Sequence, residues 1–331
     1  MRSSVIHRDG IHFDLDRRIV ADARSAAGDV NVVSHAHADH TFRTSPGTVV
    51  CSAETATIAT ARTGVAFEHV ESARGIELVP AGHVVGSRAA VIEDADGARY
   101  CYTGDFSTRD RAFLEGFDPT GVDADVLVME TTYGHPRYRF PAQAELDAEI
   151  RDWIRDNDDR PLLLFGYSLG RAQKLQWLAR EAAPDRPVLV SESVRDVNRA
   201  IESATDLSFP GRVYDPAELE DLTDELVVVP SNRARSDRVE RVVERTGALK
   251  AGFSGWAVED SFLYRGGYDV TFPLTDHCDF GELIETVLTV DPDVVYTHHG
   301  FDEAFADVLA TEYGYAARPL KRDQTALADF R

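Results

Sequence analysis

Ser34-His35-Ala36-His37-Ala38-Asp39-His40 places three imidazoles and a carboxylate within six residues. The valine-rich run Val30 to Val33 leads straight into them, which reads as a buried strand ending in a loop that carries the polar groups. Neutral imidazole nitrogens and a carboxylate oxygen suit zinc, a borderline ion that accepts N, S and O donors. The spacing predicts that His35 and His37 face one metal while Asp39 and His40 face a second.

Working outward, the composition bounds what kind of protein carries this stretch. The chain has 331 residues, of which 43% are apolar, enough for one large or two ordinary domains with real cores. No apolar run approaches the ~20 residues that span a bilayer, and Met1 to Gly10 is polar, so a cytoplasmic protein is expected. Cys51, Cys101 and Cys278 are scattered and form no C-x-x-C pair, so neither a disulfide framework nor a thiolate zinc site is indicated, and Cys278 reads as a small buried filler. The net charge is −22, with lysine only at Lys174, Lys250 and Lys321. An acidic, lysine-poor chain of this kind is expected of a salt-rich cytoplasm. There, long-range attraction to phosphates is screened, and any nucleic acid must be held by direct contacts.

The remaining chain supplies partners for the first stretch. Arg18 to Ala23 reads as a strand, with Asp22 near its end; Thr48 to Ser52 as a strand; Glu54 to Arg62 as a helix. After the strand Glu77 to Pro80, His83 stands between Gly82 and Gly86, a third ligand for the first metal. A hairpin from Ala89 to Tyr102 ends in Thr103-Gly104-Asp105, and the two oxygens of Asp105 suit a bridge between metals. The apolar strand Val126 to Met129 ends at Glu130. Leu146, Ile150, Trp153 and Ile154 then mark an amphipathic helix. The strands Pro161 to Phe165, Pro187 to Val190 and Glu225 to Val229 alternate with helices, predicting a small parallel α/β domain. Between the first of these strands and a helix from Arg171 to Ala182, Ser168, Gly170 and Arg171 form either a phosphate site or a plain βα turn. Leu249 to Phe253 reads as the return to the first domain. Phe280 to Val290 reads as a helix with Leu283, Val287 and Leu288 on one face, and Val294 to Thr297 as a strand before His298-His299-Gly300.

His-x-His-x-Asp-His is the signature of the metallo-β-lactamase fold, and the chain resembles that superfamily from end to end. Glu130-Thr131-Thr132-Tyr133-Gly134 resembles the Glu-x-Thr-Tyr-Gly of its β-CASP nuclease branch, and Thr275-Asp276-His277-Cys278-Asp279-Phe280 resembles that branch's Ser-Asp-His-x-Asp-Phe. The resemblance implies an α/β protein: an αββα metallo-β-lactamase sandwich over 1–145 and 248–331, with a parallel α/β (β-CASP) domain inserted at 146–247. It implies two zinc ions, manganese being a substitute. His35, His37, His83 and Asp105 would hold the first; Asp39, His40, Asp105 and His299 the second, with His298 ranked behind His299. Asp22 takes the place of a residue that orients the ligands. Asp39, Glu130 and His277 are the catalytic expectations, His277 as general acid with Glu130 holding its tautomer.

The resemblance narrows at Tyr133-Gly-His-Pro-Arg-Tyr-Arg-Phe140, at Phe165-Gly-Tyr-Ser-Leu-Gly-Arg-Ala-Gln173 and at Gly255-Trp256, which are similar to the short ligase-associated DNA exonucleases. It implies a zinc-dependent single-strand DNA 5′ exonuclease of repair, with nucleic acid as substrate and a DNA ligase or RNA-processing proteins as partners. The alternative is an RNA 3′-end processing nuclease, because a His at the position of His299 is usual in RNA-cutting members. A third reading is a silent scaffold of a processing complex, which typically loses ligands that this chain retains.

Overall fold

A computed structural model of the chain describes residues 5–25, 28–44 and 47–320. These form two compact units, one from the chain up to Thr108 with Gly116–Arg137 and the chain from Cys278 onward, the other from Arg109–Glu115 and Tyr138–His277.

In the first unit, β1 (Val5–Arg8), β2 (Gly10–Asp14), β3 (Arg18–Ala21), β4 (Val30–Val32), β5 (Thr48–Val50) and β6 (Glu68–Val70) lie side by side in that order. The first three are antiparallel and the rest run parallel to β3. Helix α1 (Ala53–Thr63) joins β5 to β6; the Ser52 hydroxyl accepts from the Thr55 N–H at its start. A second sheet begins with the meander β7 (Ile76–Pro80), β8 (Arg88–Glu93) and β9 (Arg99–Tyr102), followed by β10 (Val126–Glu130) parallel to β9.

The second unit is a parallel sheet of β11 (Leu162–Gly166), β12 (Val188–Val190), β13 (Arg212–Val213), β14 (Leu226–Pro230), β15 (Leu249–Phe253) and β16 (Val270–Phe272), in the spatial order β13-β12-β14-β11-β15-β16. Helices α2 (Gln143–Asp156) and α3 (Arg171–Ala182) bury Leu146, Ile150, Leu175 and Leu178 on one face, with Leu162 and Leu164. Val194 of α4 (Glu192–Ala204) joins that face. Val239 and Val242 of α5 (Asp237–Thr246) cover the other, with Leu163 and Phe165. A short helix α6 (Asp260–Gly266) precedes β16. This corrects the expected return to the first domain at residue 248. Leu249–Ala251 pair with Leu162–Leu164, and β16 adds to β15, so both strands complete the second unit's sheet.

The chain re-enters the first unit as α7 (Phe280–Val290), β17 (Val294–His298), α8 (Asp302–Glu312) and β18 (Ala316–Pro319), the two strands extending the second sheet beyond β10. Successive side chains of a strand face opposite ways. Ala90 and Ile92 thus join Phe13, Ile19 and Val32 in a core shared by both sheets of this unit, while Ala89 and Val91 meet Leu283, Val287 and Phe305 of the helices outside. Leu288, expected on the packed face of α7, is 48% exposed; Ile284 takes its place, because it shares a helical stripe with Phe280 and Leu283. Beyond the other sheet, α1 packs Ala56 against Val20, Val49 and Cys51. The three cysteines are buried and free, and burial pushes the thiols of Cys51 and Cys101 up to about 12.

Candidate metal centre

The polar groups singled out in the sequence leave the strand ends of the first unit. Asp22 follows β3, His35 to His40 follow β4, His83 follows β7, Asp105 follows β9, Glu130 ends β10 and His298 ends β17. A strand end is where backbone pairing stops and side chains converge on a solvent edge.

Three imidazoles meet one carboxylate. His35 Nε2 and His83 Nε2 stand 3.0 and 3.1 Å from the same His37 Nδ1. They stand 3.6 and 3.7 Å from Asp105 Oδ2. A single His37 Nδ1 proton cannot serve two nitrogens at once. Donors held about 2.0–2.2 Å from a shared ion in a tetrahedron lie roughly 3.4 Å apart, which these four distances bracket. His40 Nε2 approaches the same Asp105 oxygen at 3.8 Å and Asp39 Oδ2 at 3.9 Å. Asp105 Oδ2 therefore stands at the junction of two donor sets.

The tautomers are set from behind by Asp22. Its carboxylate accepts the Ser34 N–H at 2.7 Å, the Ser34 hydroxyl at 2.5 Å, His40 Nδ1 at 2.9 Å and the Tyr102 hydroxyl at 2.8 Å. Because the Ser34 proton goes to Asp22, the Ser34 oxygen accepts His35 Nδ1–H at 2.9 Å. In the neutral form, His35 and His40 thus carry their lone pairs on Nε2, the atoms aimed at Asp105. Asp22 adopts φ 54°, a left-handed conformation that Asp tolerates better than most residues. Without a cation, burial disfavours a charged His40, but Asp105, Asp22 and Asp39 outweigh it and push His40 up to about 10. Burial acts on Asp39 in the opposite sense, yet His40, His37 and His299 hold its carboxyl below the ordinary range.

The last motif divides. His298 is buried, stacked on Tyr102 with ring centroids 5.7 Å apart, and its Nε2 meets no partner. Burial and the neighbouring His299, His7 and His40 keep it well below the usual imidazole range. His299 is exposed at φ 60°, its ring 5.9 Å from that of His40. Both line a cleft of about 210 Å³ with Asp39, His40 and His7. His7, on β1, was missed in the sequence; its ring is 6.0 Å from His299. An isolated His far upstream of the motif gives no spacing signal, and only the pairing of β1 with β2 brings it here. Glu130 is buried and accepts the Thr132 N–H at 2.7 Å.

Of the other expected residues, His277 closes the second unit, its N–H donating to the Thr275 hydroxyl at 3.1 Å. The next residue, Cys278, donates its N–H to the Phe106 carbonyl, one position past Asp105. The phosphate loop is corrected. Arg171 is buried, its Nε on Asp276 at 3.1 Å, its Nη1 on the Phe253 carbonyl at 2.9 Å, and its guanidinium 4.3 Å from the Tyr167 ring centre. The Gly170 N–H donates to Gln173 Oε1 at 2.8 Å, and the Ser168 carbonyl accepts Gln173 Nε2 at 3.0 Å. The cation and the Gly170 N–H wanted for a phosphate are spent inside the fold, which leaves the plain βα turn.

The chain is similar over 290 residues to a probable DNA ligase of Opitutus terrae, at 34% identity, covering 84% of this chain. It spans about a quarter of that relative's length (27%). A probable RNase of Methanocaldococcus jannaschii is 23% identical over 289 residues, 73% of this chain and 66% of that protein. Among solved structures, a protein of unknown function from Enterococcus faecalis shares the fold, with a TM-score of 0.58 at 16% identity over 89% of this chain and 79% of that one. No family model matches the chain.

Proposed function

We infer that this chain, which belongs to the β-CASP nuclease branch of the metallo-β-lactamase superfamily, hydrolyses phosphodiester bonds of single-stranded DNA with two divalent ions, zinc foremost. The observation that carries the reading is the convergence of three imidazole nitrogens on Asp105, backed by a hydrogen-bond network that engages Nδ1 of His35 and His40 and leaves Nε2 of each to face Asp105. The donor set fits zinc in element type and spacing. His35, His37, His83 and Asp105 would hold one ion; Asp39, His40, Asp105 and His299 the other. Bound there, the ions supply a nucleophilic water at neutral pH and neutralise charge on the phosphoryl oxygens.

The chain's own residues do the rest. Asp22 holds the His40 ring and, through Ser34, the His35 ring, so no reorientation is needed as charge develops. His277 is proposed to protonate the leaving 3′-oxygen, and Glu130 to keep its imidazole in the donating form. The backbone bond from Cys278 to Phe106, beside Asp105, supports that role. Arg171 is bonded to Asp276 and to the Phe253 carbonyl, so the proposal rests on no strand-end contact by it and no polarity is assigned.

DNA is put first because similarity to a protein named as a DNA ligase covers most of this chain, and a ligase is the proposed partner. The similarity to a protein named as an RNase supports RNA as the second reading. Protein purified without added metal should contain about two zinc ions and degrade end-labelled single-stranded DNA faster than RNA of the same sequence. Folded, active protein with no bound metal sinks the mechanism; faster cutting of RNA exchanges the two substrates.

A further inference from the structure

In the second unit, β12 and β14 are parallel neighbours. The helix after β12 packs Val194 on one face of the sheet, and the helix after β14 packs Val239 and Val242 on the other. Where outgoing connections diverge to opposite faces, a crevice opens at the carboxyl ends of the strands, and in open α/β sheets that is where ligands sit. Here it contains a cavity of about 630 Å³, within the range of small-molecule sites.

Its walls are chemically divided. Val227, Val229 and Val242 form an apolar floor, with the half-buried Tyr214 beside it. Arg233, Arg238 and Arg241 line it too, and none makes a side-chain hydrogen bond or ion pair among the described residues. Elsewhere in the same unit, Arg212 is held by Glu218, and Arg245 by Glu220 and Asp221. Three uncommitted guanidiniums around one cavity are unexpected in a chain of net charge −22. Arg233 and Arg238 both act on the Tyr214 hydroxyl, opposing the rise that burial gives it. The starts of α4 and α5 border the same space through Ser191 and Ser236, adding partial positive charge. Glu192 and Asp237 also line it, acceptors suited to the hydroxyls of a sugar.

We propose that this cavity binds a nucleoside phosphate, with its phosphate on Arg233, Arg238 and Arg241 and its base over the valine floor beside Tyr214. Guanidiniums pair with phosphate through forked hydrogen bonds, and a flat base covers apolar surface. The site is separate from the metal ligands, all of which lie in the first unit.

Calorimetric titration of the full chain with AMP, adenosine and inorganic phosphate tests this. AMP should bind at least tenfold more tightly than either fragment. The double substitution Arg238→Ala/Arg241→Ala should weaken AMP at least tenfold and leave the Tm unchanged. Displacement of AMP by a short linear oligonucleotide would identify the ligand as a strand terminus, and its absence as a free nucleotide; both support the site. Unchanged AMP affinity in the double variant, phosphate binding as tightly as AMP, or no AMP binding at millimolar concentration would overturn it.

Discussion

At the scale of single residues, Asp22 is the residue on which the candidate metal centre turns. It takes four hydrogen bonds at once, and two of them determine which nitrogen of an imidazole is available. Asp22→Asn replaces one acceptor oxygen with a donor, so one of those bonds becomes a repulsion. Loss of such a supporting carboxylate typically costs 10–100-fold in metal affinity. Competition against a chromophoric chelator should read that loss, and an unchanged affinity would remove Asp22 from the account. Gly104 belongs to the same network, since a Cβ there, at φ +57°, would stand 2.6 Å from the Ser34 side chain. His40 supplies a pH signature. In chelated protein its folded value is raised from 6.5 to about 10, so its contribution to stability is complete below pH 6.5 and is lost as pH rises through 10. The Tm of EDTA-treated protein should therefore fall between those limits. The metal-loaded protein, in which the ion replaces the proton, should lack that slope. Equal slopes would mean that His40 keeps its proton beside the ion.

At the scale of elements, the motif around His277 is also a piece of architecture. Asp279 accepts the Gly281 and Glu282 N–H groups at the start of α7, and the Glu282 carboxylate in turn accepts the Asp279 N–H. Asp279→Ala should cost about 1 kcal/mol, measured by denaturant unfolding. Asp276, on the other side of His277, is buried between Arg111 and Arg171, and these two cations hold its carboxyl below the usual range against the opposing effect of burial. Arg171→Ala would leave Asp276 with half its compensation. A buried pair broken on one side typically loses about 3–5 kcal/mol. The substitution should therefore destabilise the protein by that order without changing the ratio of rates on 5′-phosphate and 5′-hydroxyl oligonucleotides. A selective loss on the phosphorylated end would restore the phosphate reading.

At the scale of the whole molecule, charge is the distinguishing property. Lys174 and Lys250 are buried on Asp147 and Glu240, and Lys321 lies outside the described residues. Among the described residues, exposed acid is therefore countered by arginines and not by lysines, and the self-repulsion of a chain of net charge −22 is screened by salt within about 10 Å at 0.1 M and less above it. The Tm should climb steeply from dilute buffer to molar KCl; a flat curve would contradict adaptation to salt. Among the described residues no helix is long and apolar enough to cross a membrane.

Local pattern determined much of this protein. Strands of valine and leucine, the helix from Arg171 to Ala182 and the donor types of His35 to His40 follow from periodicity and chemistry that neighbouring residues carry. Three things were decided only by tertiary structure, each because it depends on a partner far away in the chain. Leu249–Phe253 is a plausible strand for either unit, and only its pairing with Leu162–Phe165 assigns it. Arg171 has the sequence surroundings of a phosphate ligand, but Asp276, a hundred residues on, takes its guanidinium. His7 has no motif at all and enters the cleft through the fold of β1. A charged side chain bonds to whatever the fold brings within reach, and sequence spacing does not report that distance.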